Sequence, residues 1–276
     1  MVGFPRDERR DVVVVTGAGG IGTAVARRIG SGRTLFLADA SRGQLDRTVG
    51  VLRAEGYDAH GVVIDVCDHA SVRKLAETAA GEGRLAAVVH TAGVCAAIAS
   101  ARTNFEVNMV GTAHVIDCFE AVATRGTSLV CVAGVAGHYA TLSDEDEVLL
   151  ATVPAEELLE LDVVAAVGDD AVPAYIVSNR AVQVRVEAAA LAWNLRGARV
   201  NSVSPGAVAT DMAKAEAGSV YGEHLRKMLD ACGAGRAATP VEIADVIAFL
   251  AGPQAQYVNG TDLVVDGGQS AWLRRH

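Results

Sequence analysis

Apolar positions along the chain gather into seven short runs, separated by longer stretches with helical spacing. The first run, DVVVVTG (11–17), is continuously apolar through its four valines, as suits a strand covered on both faces. TLFLAD (34–39), HGVVIDV (60–66), LAAVVHTAG (85–93), TSLVCVAG (127–134), ARVNSVSPG (198–206) and TDLVVDGG (261–268) follow it. Between them, stretches such as 71–80 and 104–124 read as helices. Strand and helix in alternation predict βαβ units with right-handed crossovers, and so an α/β fold with one doubly wound, mainly parallel sheet and helices on both faces. No linker or repeat interrupts it, which predicts a single domain over residues 1–276.

One segment, about 139–172, breaks the alternation. Ser143 followed by Asp144, Glu145, Asp146 and Glu147 predicts an N-cap with acids in the first helical turn, where they favour the helix dipole. Thr152 to Glu157 predicts a second helix start, with Leu158, Leu159 and Leu161 on its apolar side and Gly168-Asp169-Asp170 as its end. A pair of amphipathic helices is expected. From Tyr139 to Asn179 there are ten acidic residues and no Lys or Arg, so the whole negative excess of the chain (−9) sits in this insertion.

Composition narrows the class further. A chain of 276 residues that is 51% hydrophobic can bury a sizeable core and is not a disordered type. No run reaches the ~18–20 apolar residues needed to cross a bilayer, and the leader MVGFPRDERR is too polar for a signal peptide. A soluble, cytoplasmic protein without membrane partners is expected. Cys67, Cys95, Cys118, Cys131 and Cys232 are odd in number and scattered, which predicts thiols rather than disulfides or a metal site. The acidic balance gives no support to nucleic-acid binding.

Gly17-Ala18-Gly19-Gly20-Ile21-Gly22 follows the first strand directly and opens a helix. Glycines there permit a tight turn and close backbone approach to a pyrophosphate, which the helix N-terminus attracts. Asp39 ends the second strand, where a carboxylate accepts bonds from a ribose diol and repels a 2′-phosphate. NAD is therefore expected over NADP, with Arg42 moderating the preference.

With these residues in place, the chain resembles the short-chain dehydrogenase/reductase family from about residue 11 to 269. TGAGGIG is similar to that family's glycine turn with one residue fewer, and Asp65-Val66 to its adenine contact. His90-Thr91-Ala92-Gly93 resembles its Asn-Asn-Ala-Gly element, and Asn108 its helix asparagine. RVNSVSPGAVATDM resembles the block that places Pro205, Gly206 and Val208 under the nicotinamide and Thr210 on its carboxamide. The resemblance implies a Rossmann sheet of order 3-2-1-4-5-6-7, a small apolar alcohol or carbonyl substrate, and a homodimer or homotetramer.

It also implies a catalytic set of Asn, Ser, Tyr and Lys. Asn108 and Tyr175 match; Gly134 stands at the serine's place and Asn179 at the lysine's. An unperturbed phenol has a pKa of about 10, and losing a 2–3 unit effect of the ammonium corresponds to roughly 3–4 kcal/mol at neutral pH. His138 is the alternative proton-transfer group, Lys214 a loop lysine that either reaches inward or stays solvated, Arg180 a surface cation, and Ser178 a packing or substrate-side hydroxyl. The insertion resembles that of the subgroup typified by bacterial 3α-hydroxysteroid dehydrogenase/carbonyl reductase, which implies a lid or subunit contact; a solvated acidic excursion is the alternative. Two functions follow: an NAD-dependent alcohol/carbonyl oxidoreductase with an altered catalytic set, or a catalytically silent NAD-binding module.

Overall fold

All seven apolar runs form strands of one sheet in the computed structural model, which describes residues 10–220 and 222–273. The strands are β1 (Asp11–Thr16), β2 (Thr34–Asp39), β3 (Asp58–Val63), β4 (Arg84–His90), β5 (Ser128–Val132), β6 (Arg199–Pro205) and β7 (Asp262–Val265). Their order is β3-β2-β1-β4-β5-β6-β7, and all six pairings are parallel. Apart from Arg10, the polar leader lies outside the described residues.

Side chains on β1 show why a continuous valine run is needed. Val12 and Val14 pack with Val72, Phe119 and Val186 from helices His69–Glu82, Gly111–Val122 and Ala171–Leu195. Val13 and Val15 point the other way, towards Val25, Leu45 and Ile243 from helices Gly20–Ile29, Arg42–Ala54 and Pro240–Ala251. The period-2 alternation of a strand thus feeds two cores, one per face. Among the described residues, no helix is long and apolar enough to cross a membrane.

Three of the expected elements need correction. The third strand spans 58–63 rather than 60–66, because the chain turns at Asp65. There the carboxylate accepts from Cys67 N–H (2.9 Å) and the carbonyl from Asp68 N–H (3.1 Å), while Ile64 and Val66 are buried against the helical layer instead of in the ladder. The helix expected over 104–124 contains a π-helical turn, Phe105–Val110, between Ala101–Asn104 and Gly111–Val122. The second insertion helix is a 3₁₀ segment, Ala155–Glu160, then a short α-helix, Asp162–Val167, separated by Leu161 in an extended conformation.

The first insertion helix, Asp144–Thr152, has the expected cap: Ser143 and Asp146 bond each other's backbone N–H in a capping box. Its far end is held by Arg185, which donates to the carbonyls of Leu150 (3.3 Å) and Val153 (2.8 Å), a cation at the negative helix terminus. Arg180, expected on the surface, instead forks onto Glu147 with bonds of 2.7 and 2.8 Å. Leu150 and Leu158 are fully buried against Phe105, Met109, Ala174 and Val177, so the segment is packed rather than a solvated excursion.

That packing should be expensive to lose. Leu158→Ala is expected to destabilise the protein by about 2–5 kcal/mol in urea denaturation; a change under about 0.5 kcal/mol would show that the insertion does not share the core.

Candidate active site

β1 has β2 on one side and β4 on the other, so the chain leaves the sheet in opposite directions at their C-terminal ends and opens a crevice. Gly17 enters it with φ +89°, and a Cβ there would stand 2.7 Å from both Ala92 N and Thr91 Oγ1. A Cβ on Gly22 would overlap the Gly17 carbonyl oxygen. Both positions exclude any larger residue. Gly19, by contrast, faces open space, and no side chain caps the helix that starts at Gly20. Such an open backbone cradle at an uncapped N-terminus fits a pyrophosphate.

Asp39 is drawn against this turn. One carboxylate oxygen accepts from Ala18 N–H at 2.7 Å and the other from Ser41 N–H at 2.8 Å. Asp65 and Val66 lie beyond β3, and the Val66 carbonyl is taken by His114 Nδ1 at 3.0 Å. These groups form the half of the crevice that suits an adenosine.

At the end of β4, four groups make one hydrogen-bonded chain. The Thr112 hydroxyl donates to the Asn108 carbonyl (2.6 Å), so its oxygen accepts from His90 Nε2–H (3.0 Å). His90 Nδ1 is then bare and accepts the Thr16 hydroxyl (2.6 Å), which fixes the tautomer. Burial pushes the His90 pKa down to about 4. Asn108 sits in the π-helical turn, and its amide clamps the loop after β4 by accepting from Val94 N–H (2.9 Å) and donating to Val94 O (3.0 Å).

A cavity of about 530 Å³ lies against these elements. Ile21, Ala92, Gly93, Asn108, Gly134, Tyr175, Asn179, Pro205, Gly206, Val208 and Thr210, all expected at the site, line it. Tyr139 and Val172, the two ends of the insertion, line it as well. His138 does not; its Nε2 pairs with Asp262 at 2.7 Å. Lys214 is exposed and bonded to Asp211 (2.8 Å), and Ser178 is buried with its hydroxyl donating to Tyr175 O (3.0 Å). None of these three supplies a side chain to the cavity.

Gly134 and Asn179 prove to be one feature. Asn179 Nδ2 donates to the backbone carbonyl of Tyr175 at 2.7 Å, which turns Oδ1 towards Gly134. A Cβ on Gly134 would stand 2.9 Å from that oxygen and 3.3 Å from the Tyr175 hydroxyl. The amide oxygen of residue 179 therefore occupies the space of a side chain at 134. Below them Gln183 Nε2 holds the Gly134 carbonyl (3.2 Å) and Ser204 (2.9 Å), and Ser204 continues to Asp262 (2.9 Å).

Tyr175 is half-buried in the cavity wall. Burial pushes its phenol pKa up, and Cys95, once ionised, and Glu216 act the same way; a hydrogen bond with the Asn179 side chain acts against them. The phenol is thus held neutral through the physiological range. Cys95, Met212 and Glu216 were not anticipated in the wall. The spacing of Met212, Ala213 and Glu216 after Thr210, one helical turn apart, was the available signal.

A doubly wound sheet with a glycine cradle at its switch point and a tyrosine-walled cavity defines a nucleotide-dependent oxidoreductase scaffold, and this chain belongs to the short-chain dehydrogenase/reductase family. Residues 11–143 match the family description "short chain dehydrogenase", and residues 157–270 match "Enoyl-(Acyl carrier protein) reductase". A short-chain dehydrogenase/reductase of Alternaria brassicicola is 33% identical over 268 residues, 96% of this chain and 98% of the relative. The 3-alpha-hydroxysteroid dehydrogenase/carbonyl reductase of Comamonas testosteroni is 34% identical over 172 residues, 61% of this chain and 66% of that one. The structure of the 3-alpha-hydroxysteroid dehydrogenase from Pseudomonas sp. B-0831 complexed with NADH superimposes with a TM-score of 0.76 at 26% identity, covering 96% of this chain and 98% of that one.

Two measurements check this geometry. Gly134→Ala should cost about 1–3 kcal/mol by urea denaturation, and most of that loss should vanish in an Asn179→Ala background; simple additivity would show that the two residues do not share the space. His90, depressed on folding, binds its proton more readily in the unfolded chain, so its contribution weakens as pH falls from 6.5 towards 4. The wild-type profile minus that of His90→Asn should therefore slope by about 3 kcal/mol across that window; a flat difference would contradict the buried neutral imidazole.

Proposed function

We propose that the protein is an NAD(H)-dependent oxidoreductase that reduces a compact, apolar carbonyl compound, with Tyr175 giving the proton. The observation that carries this reading is the Tyr175 phenol beside Gly134, its pKa raised by burial, in a cavity that Gly206 and Thr210 also line. A phenol with a raised pKa is a poor base for taking a proton from an alcohol but arrives protonated for the reverse reaction. When bound, the dinucleotide supplies the hydride.

The chain's own residues would do the rest. Gly17, Gly19, Gly20 and Gly22 and the N–H groups of the helix they open would hold the pyrophosphate. Asp39 would take the adenosine ribose diol, with two N–H bonds keeping its carboxylate oriented and anionic, which disfavours a 2′-phosphate. Asp65 and Val66 would border the adenine; Ile21, Ala92, Gly93, Pro205, Gly206, Val208 and Thr210 would border the nicotinamide half. Asn108 would position the loop carrying Gly93 and Val94 rather than touch the substrate. Val94, Val135, Ile176 and Met212 would exclude water from the reacting carbon.

A second reading, a catalytically silent NAD-binding module, is favoured by the amide oxygen standing where a side chain at 134 would point. Calorimetry and turnover separate them. NADH should saturate the protein and bind at least tenfold more tightly than NADPH. Across a panel of alicyclic ketones, Tyr175→Phe should lower turnover by about 10²–10⁴-fold with the NADH Kd within threefold of wild type. Saturation without turnover on any ketone would favour the silent module, and no NADH binding would overturn both.

A further inference from the structure

Beside the main cavity lies a smaller one of about 200 Å³, and the two share a wall. Among the described residues, Ala207 and Gln269 are the ones that line both. Ala207 offers only a methyl group, so the long side chain between the cavities is that of Gln269, which is 1% exposed. Its Nε2 donates to the Tyr139 hydroxyl at 3.2 Å, and its Oε1 lies 3.3 Å from where a Cβ on Gly206 would stand. The amide thus closes one end of the main cavity, reaching from the turn after β7 to the 3₁₀ turn Val135–Tyr139.

Both ends of this partition are held. Asp266 fixes the turn that presents Gln269, its carboxylate accepting from Gly268 N–H (2.9 Å) and Ser270 N–H (2.6 Å). Tyr139 ends the turn that Gln183 anchors through the Gly134 carbonyl. Behind the partition, the side cavity suits an apolar guest. Leu229, Ala234, Ala238 and Val265 line it, and its charged groups are already engaged. Arg236 forks onto Glu242 with bonds of 2.6 and 2.8 Å, and Asp266 is taken up by its own turn. Ala234 and Arg236 are exposed, so this cavity opens to solvent.

We propose that Gln269, braced by Tyr139, determines substrate length: it ends the main cavity at a compact ring and shuts off a side cavity that would hold an unbranched apolar tail. This rests on the reading above that a carbonyl compound lies beside Tyr175. Gln269 acts as a wall and takes no part in hydride or proton transfer, so specificity and chemistry reside on different residues. With Gln269 in place, a tail has to displace a packed, hydrogen-bonded amide, and lengthening the substrate gains nothing. Shortening residue 269 joins the two cavities, and each methylene that then leaves water gains about fourfold in affinity.

The test uses 4-alkylcyclohexanones from methyl to hexyl. Turnover is measured with NADH, and calorimetry follows binding to the NAD-bound and the unliganded protein, where no hydride moves. In the wild type, kcat/KM and affinity should stay flat or fall from propyl onwards. In Gln269→Ala both should rise about fourfold per methylene from propyl to hexyl, with 4-methylcyclohexanone within about threefold of wild type. Gln269→Ser should show the same rise, so a folding defect in one variant does not decide the result. Adding Ala234→Phe to Gln269→Ala refills the side cavity and should restore the flat profile. A wild type that already rises, shortened variants that run parallel to it, or a rise that Ala234→Phe leaves intact would each overturn the proposal. Lengthened binding without turnover on any ketone would overturn the oxidoreductase reading and leave the partition standing. No ketone binding to any form would overturn both.

Discussion

The bond from Asn179 Nδ2 to the carbonyl of Tyr175 is the constraint on which the rest of the site depends. It pins the amide one turn below its own helix position, sends Oδ1 across to Gly134, and leaves no room there for a side chain. The loop carrying Gly134 must then be held through its backbone, and Gln183 does this from the same helix, tied onward through Ser204 to Asp262 and His138. One turn of helix Ala171–Leu195 thus presents Tyr175 to the cavity, fills its floor and anchors the facing loop. Arg180, between Asn179 and Gln183 in the same turn, extends the arrangement to the acidic insertion through Glu147.

A second buried chain stabilises the opposite wall. A π-helical turn displaces one carbonyl from the regular ladder, and the Thr112 hydroxyl satisfies that of Asn108. His90 and Thr16 complete the chain back to β1, so the strand that ends at the glycine cradle and the helix that carries Asn108 are coupled through a neutral imidazole. Every member is satisfied, which is the condition under which buried polar groups rigidify a site rather than weaken it. Asn108 is left with its amide on Val94, a structural clamp on the loop that forms one side of the cavity.

Much of the fold was legible in the chain itself because period-2 valine runs and glycine turns are local signals. The seven strands, the switch-point cradle at Gly17 and the Ser143 cap required no long-range information. Errors arose where burial came from something other than the expected element. Ile64 and Val66 are apolar because a turn packs them under a helix, so β3 was placed too far along. A π-helical turn adds one residue to a helix without altering its composition, and nothing around Asn108 announced it. Arg180 and His138 looked unattached because Glu147 and Asp262 lie 33 and 124 residues away. Gly134 and Asn179 were each readable as a loss, but their mutual occupancy of one space is a tertiary fact. Only the coincidence of a glycine gained and a long side chain shortened hinted at it.

The chemistry turns on Tyr175 being a neutral phenol in a cavity whose lining, among the described residues, holds no cation to ionise it. Ultraviolet titration of the folded protein, as the difference between wild type and Tyr175→Phe, follows that one hydroxyl directly. The structure predicts no phenolate from Tyr175 below about pH 10, the ordinary phenol value. A tyrosine that ionises between about pH 7 and 9 would contradict it, because only a nearby positive charge, of which the described lining of the cavity holds none, would lower the pKa so far.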